Sequence, residues 1–140
     1  MIDFKQLEIE FRDEAHQRFF WEKIRQVNPK RLDGTTVSVI YLLGLEAETR
    51  VHFNMILDLE TEIIEPLSLT ASWQTAGTMK ITRLAINLYT GFSRKVEKDD
   101  SEDGYRFTEV DSAYSVYEIF GSTVYDEYFY EAIKLRFSCG

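Results

Sequence analysis

Apolar residues recur at helical spacing along most of the chain, and polar breaks divide them into segments. From Asp13, a residue type suited to capping a helix N-terminus, Ala15, Phe19, Phe20, Ile24 and Val27 follow at helical intervals until Asn28-Pro29 closes the segment. Upstream, Leu7, Ile9 and Phe11 alternate with Glu8, Glu10 and Arg12, the pattern of a short N-terminal edge strand or an extended arm. Asp33-Gly34 reads as a turn, with Thr35 or Thr36 capping a second helix. Val39, Ile40, Leu42 and Leu43 make that helix apolar on most sides and therefore central, although its Val and Thr content also suits a strand. Past Gly44, residues 46–57 place Ala47, Val51, Met55 and Ile56 near one face, which predicts a third helix forming a hairpin with the second.

Ile63-Ile64 stands before Pro66 and is expected to be extended, because the residue preceding a proline avoids the helical region. Leu67 to Trp73 is at most a short helix, and Gln74 to Gly77 a loop. Thr78 can then cap a fourth helix reaching about Thr90, with Ile81, Leu84, Ala85 and Leu88 as its buried stripe and Gly91 as its stop. Residues 97–104 read as an acidic, flexible loop, with five acids in the seven residues before Gly104. A short helix over Ser115 to Phe120 follows, and Asp126 caps a last helix in which Phe129, Ile133 and Phe137 share a face. The sum is a mainly α protein, a compact bundle of about five to six helices forming a single domain over residues 1–140, without internal repeats.

Composition supports a folded globule: 44% of residues are hydrophobic, including ten Phe, eight Tyr and two Trp. Cys139 is the only cysteine, so no internal disulfide and no cysteine-built metal cluster is possible, which suits a reducing compartment. Charged residues interrupt the N-terminal thirty residues as a secretory signal would not allow, and there is no apolar run of about 18 residues, so the expected location is cytoplasmic. The net charge of −8 argues against direct non-specific nucleic-acid binding, which requires an excess of cations. That charge is uneven. Residues 97–140 carry eleven acids and four bases, whereas residues 73–96 hold Lys80, Arg83, Arg94 and Lys95 with no carboxylate.

The segment 71–91 (ASWQTAGTMKITRLAINLYTG), together with YLLGL at 41–45, ETR at 48–50 and YFYEAIKLR at 128–136, resembles an uncharacterised family of small proteins. That family is a domain of unknown function found in Gram-positive bacteria, their phages and mobile elements. The resemblance covers most of the chain after Asp13, with the Trp73-to-Gly91 segment its most specific part and the acidic loop and first eleven residues as departures. It implies a mobile-element setting and supplies no mechanism.

Candidate chemistry centres on the start of the fourth helix. A helix N-terminus offers free N–H groups to an anion, Gly77 allows close approach, Thr78 adds a hydroxyl, and Lys80, Arg83 and Asn87 line one polar face. Gln74 and Thr75 lie in the loop beside it, and Trp73 is either a stacking platform or a core residue. The alternative is that Thr78 only caps the helix and the stripe is solvated. The Gly-x-x-x-x-Gly-Lys spacing of a phosphate loop is absent. His16 and His52 lack a second histidine at helical spacing, and the acidic run lacks the full calcium-loop pattern, so neither metal nor cofactor is expected. Around the last helix, Tyr125, Tyr128, Phe129 and Tyr130 exceed what one buried face can hold. The tyrosines are therefore candidate partner contacts, a homodimer included. No catalytic motif emerges. The leading expectation is a non-enzymatic macromolecule-binding protein, with the mobile-element setting suggesting an inhibitor of a host nucleic-acid-guided defence complex; the others are an anion or nucleotide binder at Gly77, Thr78, Lys80 and Arg83, and an enzyme whose site follows no motif.

Overall fold

The computed structural model describes residues 8–91, 95–98, 105–108, 116–121 and 123–138. The first helix, α1 (Glu14–Gln26), begins where Asp13 accepts the N–H of His16 at 2.8 Å, and a short 3₁₀ turn (Pro29–Arg31) follows its end. The second, α2 (Gly34–Leu43), is capped by Asp33 itself, which accepts the N–H of Thr36 at 3.0 Å; the residues that the sequence offers as caps, Thr35 and Thr36, lie inside the first turn. Eight of the ten residues of α2 are buried.

The third predicted helix is broken into α3 (Ala47–Val51) and α4 (Phe53–Ile56), hinged at His52, and it ends before Leu57. A competing local structure accounts for the early end. Leu57–Asp58 (β1) pairs antiparallel with Ile63–Ile64 (β2), and the Asp58 carboxylate accepts the N–H groups of Glu60 and Thr61 at 2.9 and 3.2 Å, closing a tight turn. Such an Asx turn offers the backbone an alternative to continuing a helix. Nor do the second and third segments form a helical hairpin: α2 packs against α1 and the later helices Ala76–Thr90 and Asp126–Ser138, while α3 packs on α4 and Ala76–Thr90.

After a 3₁₀ segment (Pro66–Thr70) comes α5 (Ala76–Thr90), ended by Gly91 at φ +77°, a left-handed conformation suited to glycine. Lys95–Lys98 (β3) and Tyr105–Thr108 (β4) form a second antiparallel pair, so residues 97 and 98 of the acidic run belong to a strand, while its residues 99–104 lie outside the described ones. Two helices complete the fold, α6 (Val116–Phe120) and α7 (Asp126–Ser138). Among the described residues the architecture is mainly α, with seven α-helices and two small sheets. The buried stripe of α7 is Phe129, Ala132 and Leu135, continued from Tyr125, while Phe137 is 68% exposed. The predicted Phe129/Ile133/Phe137 face is thus rotated towards Ala132 and Leu135, and α2 comes close to α7 at Leu135 and Arg136. No helix among the described residues is long and apolar enough to cross a membrane.

The approach of α2 to α7 is close. A Cβ on Gly34 would lie 2.5 Å from the Arg136 carbonyl oxygen and 3.0 Å from that of Leu135, both backbone atoms that cannot swing aside. Gly34→Ala is therefore expected to destabilise the protein by about 1–3 kcal/mol or more, because α2 and α7 must separate to admit one methyl group. Urea unfolding checks this. An unchanged midpoint would mean that the two helices are not packed as described.

Candidate functional site

The polar chemistry of the core gathers where α2 ends. The last carbonyls of a helix have no intrahelical donor, and here they are buried away from water. The N–H groups of Gly44 and Leu45 close the last turn on Ile40, Tyr41 and Leu42, and three side chains add donors to the Tyr41 carbonyl and to those of the two residues that follow the helix. His16, fully buried, places Nε2 2.7 Å from the Tyr41 carbonyl; Arg50 donates to the Gly44 carbonyl at 2.7 Å; Arg12 donates to the Leu45 carbonyl at 2.7 Å. Because His16 Nδ1 accepts the N–H of Arg12 at 3.0 Å, the ring is the neutral tautomer with its proton on Nε2. Burial holds this imidazole at about 4, well below its ordinary 6.5, against the opposing pull of the Tyr41 carbonyl. Both ring nitrogens are thereby used in structure, which disfavours a base role.

Arg12 also meets the Glu46 carboxylate at 2.5 Å and lies over the Tyr125 ring, 5.3 Å from its centroid, while the Tyr125 hydroxyl donates a short hydrogen bond to the same Glu46 oxygen. Partial burial pushes the Glu46 carboxyl up, but the bonds from Tyr125 and Arg12, with the charges of Arg12 and Arg50, hold it below its ordinary value. Burial first, and then the Glu46 hydrogen bond and charge, raise Tyr125 to about 12. Tyr125, a predicted partner contact, is therefore a buried internal link between α7 and the end of α2.

The start of α5 is a capping network. Thr75 is its N-cap in place of Thr78: Thr75 Oγ1 accepts the Thr78 N–H at 3.1 Å, and Thr78 Oγ1 accepts the Thr75 N–H at 2.8 Å. Thr78 donates in turn to Gln74 Oε1 at 2.7 Å, and Gln74 Nε2 reaches the Ser68 carbonyl and Thr82 at 3.2 and 3.1 Å. Gly77 does permit a close approach, but by Tyr125: a Cβ there would lie 3.4 Å from its ring. Lys80 donates to the Glu118 carbonyl at 2.7 Å and so ties α6 to α5. Arg83 is half-buried with its Nε lacking a hydrogen-bond partner, and Asn87 lies one turn further, also half-buried. Trp73 is packed at the edge of the core and stacked on His52, with centroids 4.3 Å apart and planes 3° from parallel. Of the two remaining tyrosines, Tyr128 is half-buried and Tyr130 is 62% exposed, stacked on Phe120 at 5.5 Å.

A different feature was hidden in the sequence. A cleft of about 590 Å³ opens between the arm, α1 and α7, lined by Glu8, Ile9, Glu10, Phe11, Gln17, Trp21, Glu131 and Lys134. Three carboxylates and two aromatic rings face one cation. A second cleft, of about 570 Å³, lies between Gln26, Asn28, Arg31, Asn54 and the β1–β2 turn, but Asp58 there already holds the turn and Arg31 donates to the Glu60 carbonyl at 3.4 Å. Among the described residues no three His, Cys, Asp or Glu side chains are grouped to hold a metal ion.

A family model of unknown function, DUF6075, matches residues 6–139. The chain belongs to that family. Comparison with curated proteins and with solved structures finds no match. The DUF6075 match begins at residue 6 and runs through the acidic segment, so the arm and residues 97–104 fall within the family's span although the sequence reads them as departures. It also contains every residue of both clefts.

The buried imidazole sets a pH dependence. The unfolded chain protonates His16 below about 6.5, whereas the folded protein resists until about 4, so the unfolded state binds the extra proton between these values. The stabilisation is complete above pH 6.5 and lost as pH falls towards 4, to the extent of about 3 kcal/mol. Glu46, held below its ordinary 4.5, loses its contribution only at lower pH. Urea unfolding at pH 6.5, 5.5 and 4.5 is expected to show falling stability in the wild type and a flatter profile in His16→Gln. Parallel profiles would contradict the assignment.

Proposed function

We propose that this protein is a non-enzymatic binding protein that docks a basic segment of a macromolecular partner in the cleft between its arm, α1 and α7. The observation that carries the reading is the lining of that cleft, in which Glu8, Glu10 and Glu131 flank the rings of Phe11 and Trp21. Carboxylates beside aromatic faces recognise cationic side chains, through charge and through the negative face of the ring. A chain carrying −8 extends the attraction beyond the contact itself and speeds encounter with a basic surface. The setting implied by the sequence resemblance, phages and mobile elements of Gram-positive bacteria, makes the proposed partner a basic host complex such as a nucleic-acid-guided defence assembly. In that setting the acidic cleft would compete with nucleic acid for the partner's cations.

Affinity capture from host lysate, followed by reconstitution with the purified partner, tests the reading. The wild type is expected to retain one discrete complex, and Glu8→Lys/Glu10→Lys to lose it while keeping the same unfolding midpoint, because both side chains sit on the extended arm. A complex retained equally by the variant, or no complex at all, would overturn it.

A further inference from the structure

Glu131 differs from the other acids of the cleft. It is only 9% exposed, yet its Oε1 accepts no hydrogen bond. Its ion-pair partner among the described residues is Lys134, one turn along the same helix, whose Nζ lies 3.1 Å away but outside hydrogen-bonding geometry and whose side chain is 58% exposed. A carboxylate removed from water is stable only when it is well paired, and a flexible, solvated lysine on the same helix is a poor partner. Further charge accumulates around this point. The Tyr41 hydroxyl, which pins the arm by donating to the Glu10 carbonyl at 2.5 Å, is pushed up by burial and then by acidic neighbours, of which the carboxylates are Glu131, Glu10 and Glu127. Phe11 and Trp21, with ring centroids 6.4 Å apart and planes at 61°, wall the same cleft.

We infer that Lys134 is a displaceable stand-in and that the cleft takes an arginine side chain of the partner, its guanidinium pairing with Glu131 and lying against Trp21. This rests on the binding reading given above and names its chemistry. Geometry favours arginine over lysine. Glu131 Oε1 accepts no hydrogen bond and is covered by Lys134, so that once the lysine swings out a planar fork of donors can pair with the carboxylate, and the neighbouring indole offers a face on which a guanidinium stacks more readily than a compact, strongly hydrated ammonium. Glu8 and Glu10 at the mouth then attract the cation without enclosing it.

The test is an NMR titration of the intact protein with a capped Gly-Arg-Arg-Gly peptide, its citrulline counterpart and its lysine counterpart. The arginine peptide is expected to shift the Trp21 indole N–H and the amides around Glu131, the lysine peptide to do so more weakly, and the neutral citrulline peptide to leave both in place. Glu131→Gln, which removes the charge while keeping the shape of the side chain, should weaken the arginine peptide by at least about tenfold. Lys134→Ala should tighten it by up to about fivefold, as expected on losing a weak competing pair. Equal shifts with citrulline, or an unchanged affinity in both variants, would overturn the inference. Should the partner still be captured through Glu8 and Glu10 while Glu131→Gln changes nothing, this inference fails and the binding reading stands; loss of capture altogether removes both.

Discussion

The constraint on which the structure depends is the burial of a whole helix, including its C-terminal end. An apolar helix such as α2 gains by being enclosed, but enclosure removes the water that would otherwise satisfy its last carbonyls. The chain resolves the conflict with side chains from two directions: His16 and Arg12 from the N-terminal part, and Arg50 from just past the helix. Two of the three are positive, which also suits the negative end of the helix dipole. The solution dictates much else. Arg12 must lie alongside Leu45, so the arm runs across α1 and α2, and the Tyr41 hydroxyl fastens it there. Arg12 then completes the cluster with Glu46 and Tyr125 that ties in α7. The cleft between arm, α1 and α7 is a by-product of the same arrangement.

Much of the fold was legible because it follows from local rules. The apolar spacing of α1, α5 and α7, the capping residue Asp13, the stop at Gly91 and the centrality of Val39 to Leu43 are all properties of short windows. Errors arose where two local rules competed. Residues 46–57 carry a helical pattern, yet Asp58 with its own turn N–H groups won the last residues for a hairpin. Thr75 and Thr78 are both capping types, and only the reciprocal bonding between them shows which is the cap. The buried face of α7 differs from the one its apolar spacing suggests because Ala132, small and weakly apolar, is fully buried, while Phe137, large and apolar, is exposed.

The candidate site was less legible, for a reason of topology. Its walls come from residues 8–21 and 131–134, brought together only by packing across α2. Arm acids that read as alternation in a strand, and Trp21 off the main stripe of α1, were signals available in the sequence without a frame to join them. Conversely, the basic segment around Lys80 stood out in the sequence by charge, but the structure employs Lys80 on the end of α6 and closes the start of α5 with Thr75, Thr78 and Gln74. A cation surrounded by neutral residues in the sequence can still be committed to a carbonyl in space. An acid that looks ordinary in the sequence, Glu131, is the one left underpaired.

α2 and its buried C-terminal end hold the rest of the structure together. Native-state hydrogen exchange of the amides from Val37 to Leu45 tests it most directly, since a helix enclosed on all sides opens only when its neighbours leave. The account predicts that these amides exchange with an opening free energy equal to that of global unfolding measured by urea. Amides of α2 that exchange by smaller, local openings, as readily as those at the exposed face of α1, would contradict it.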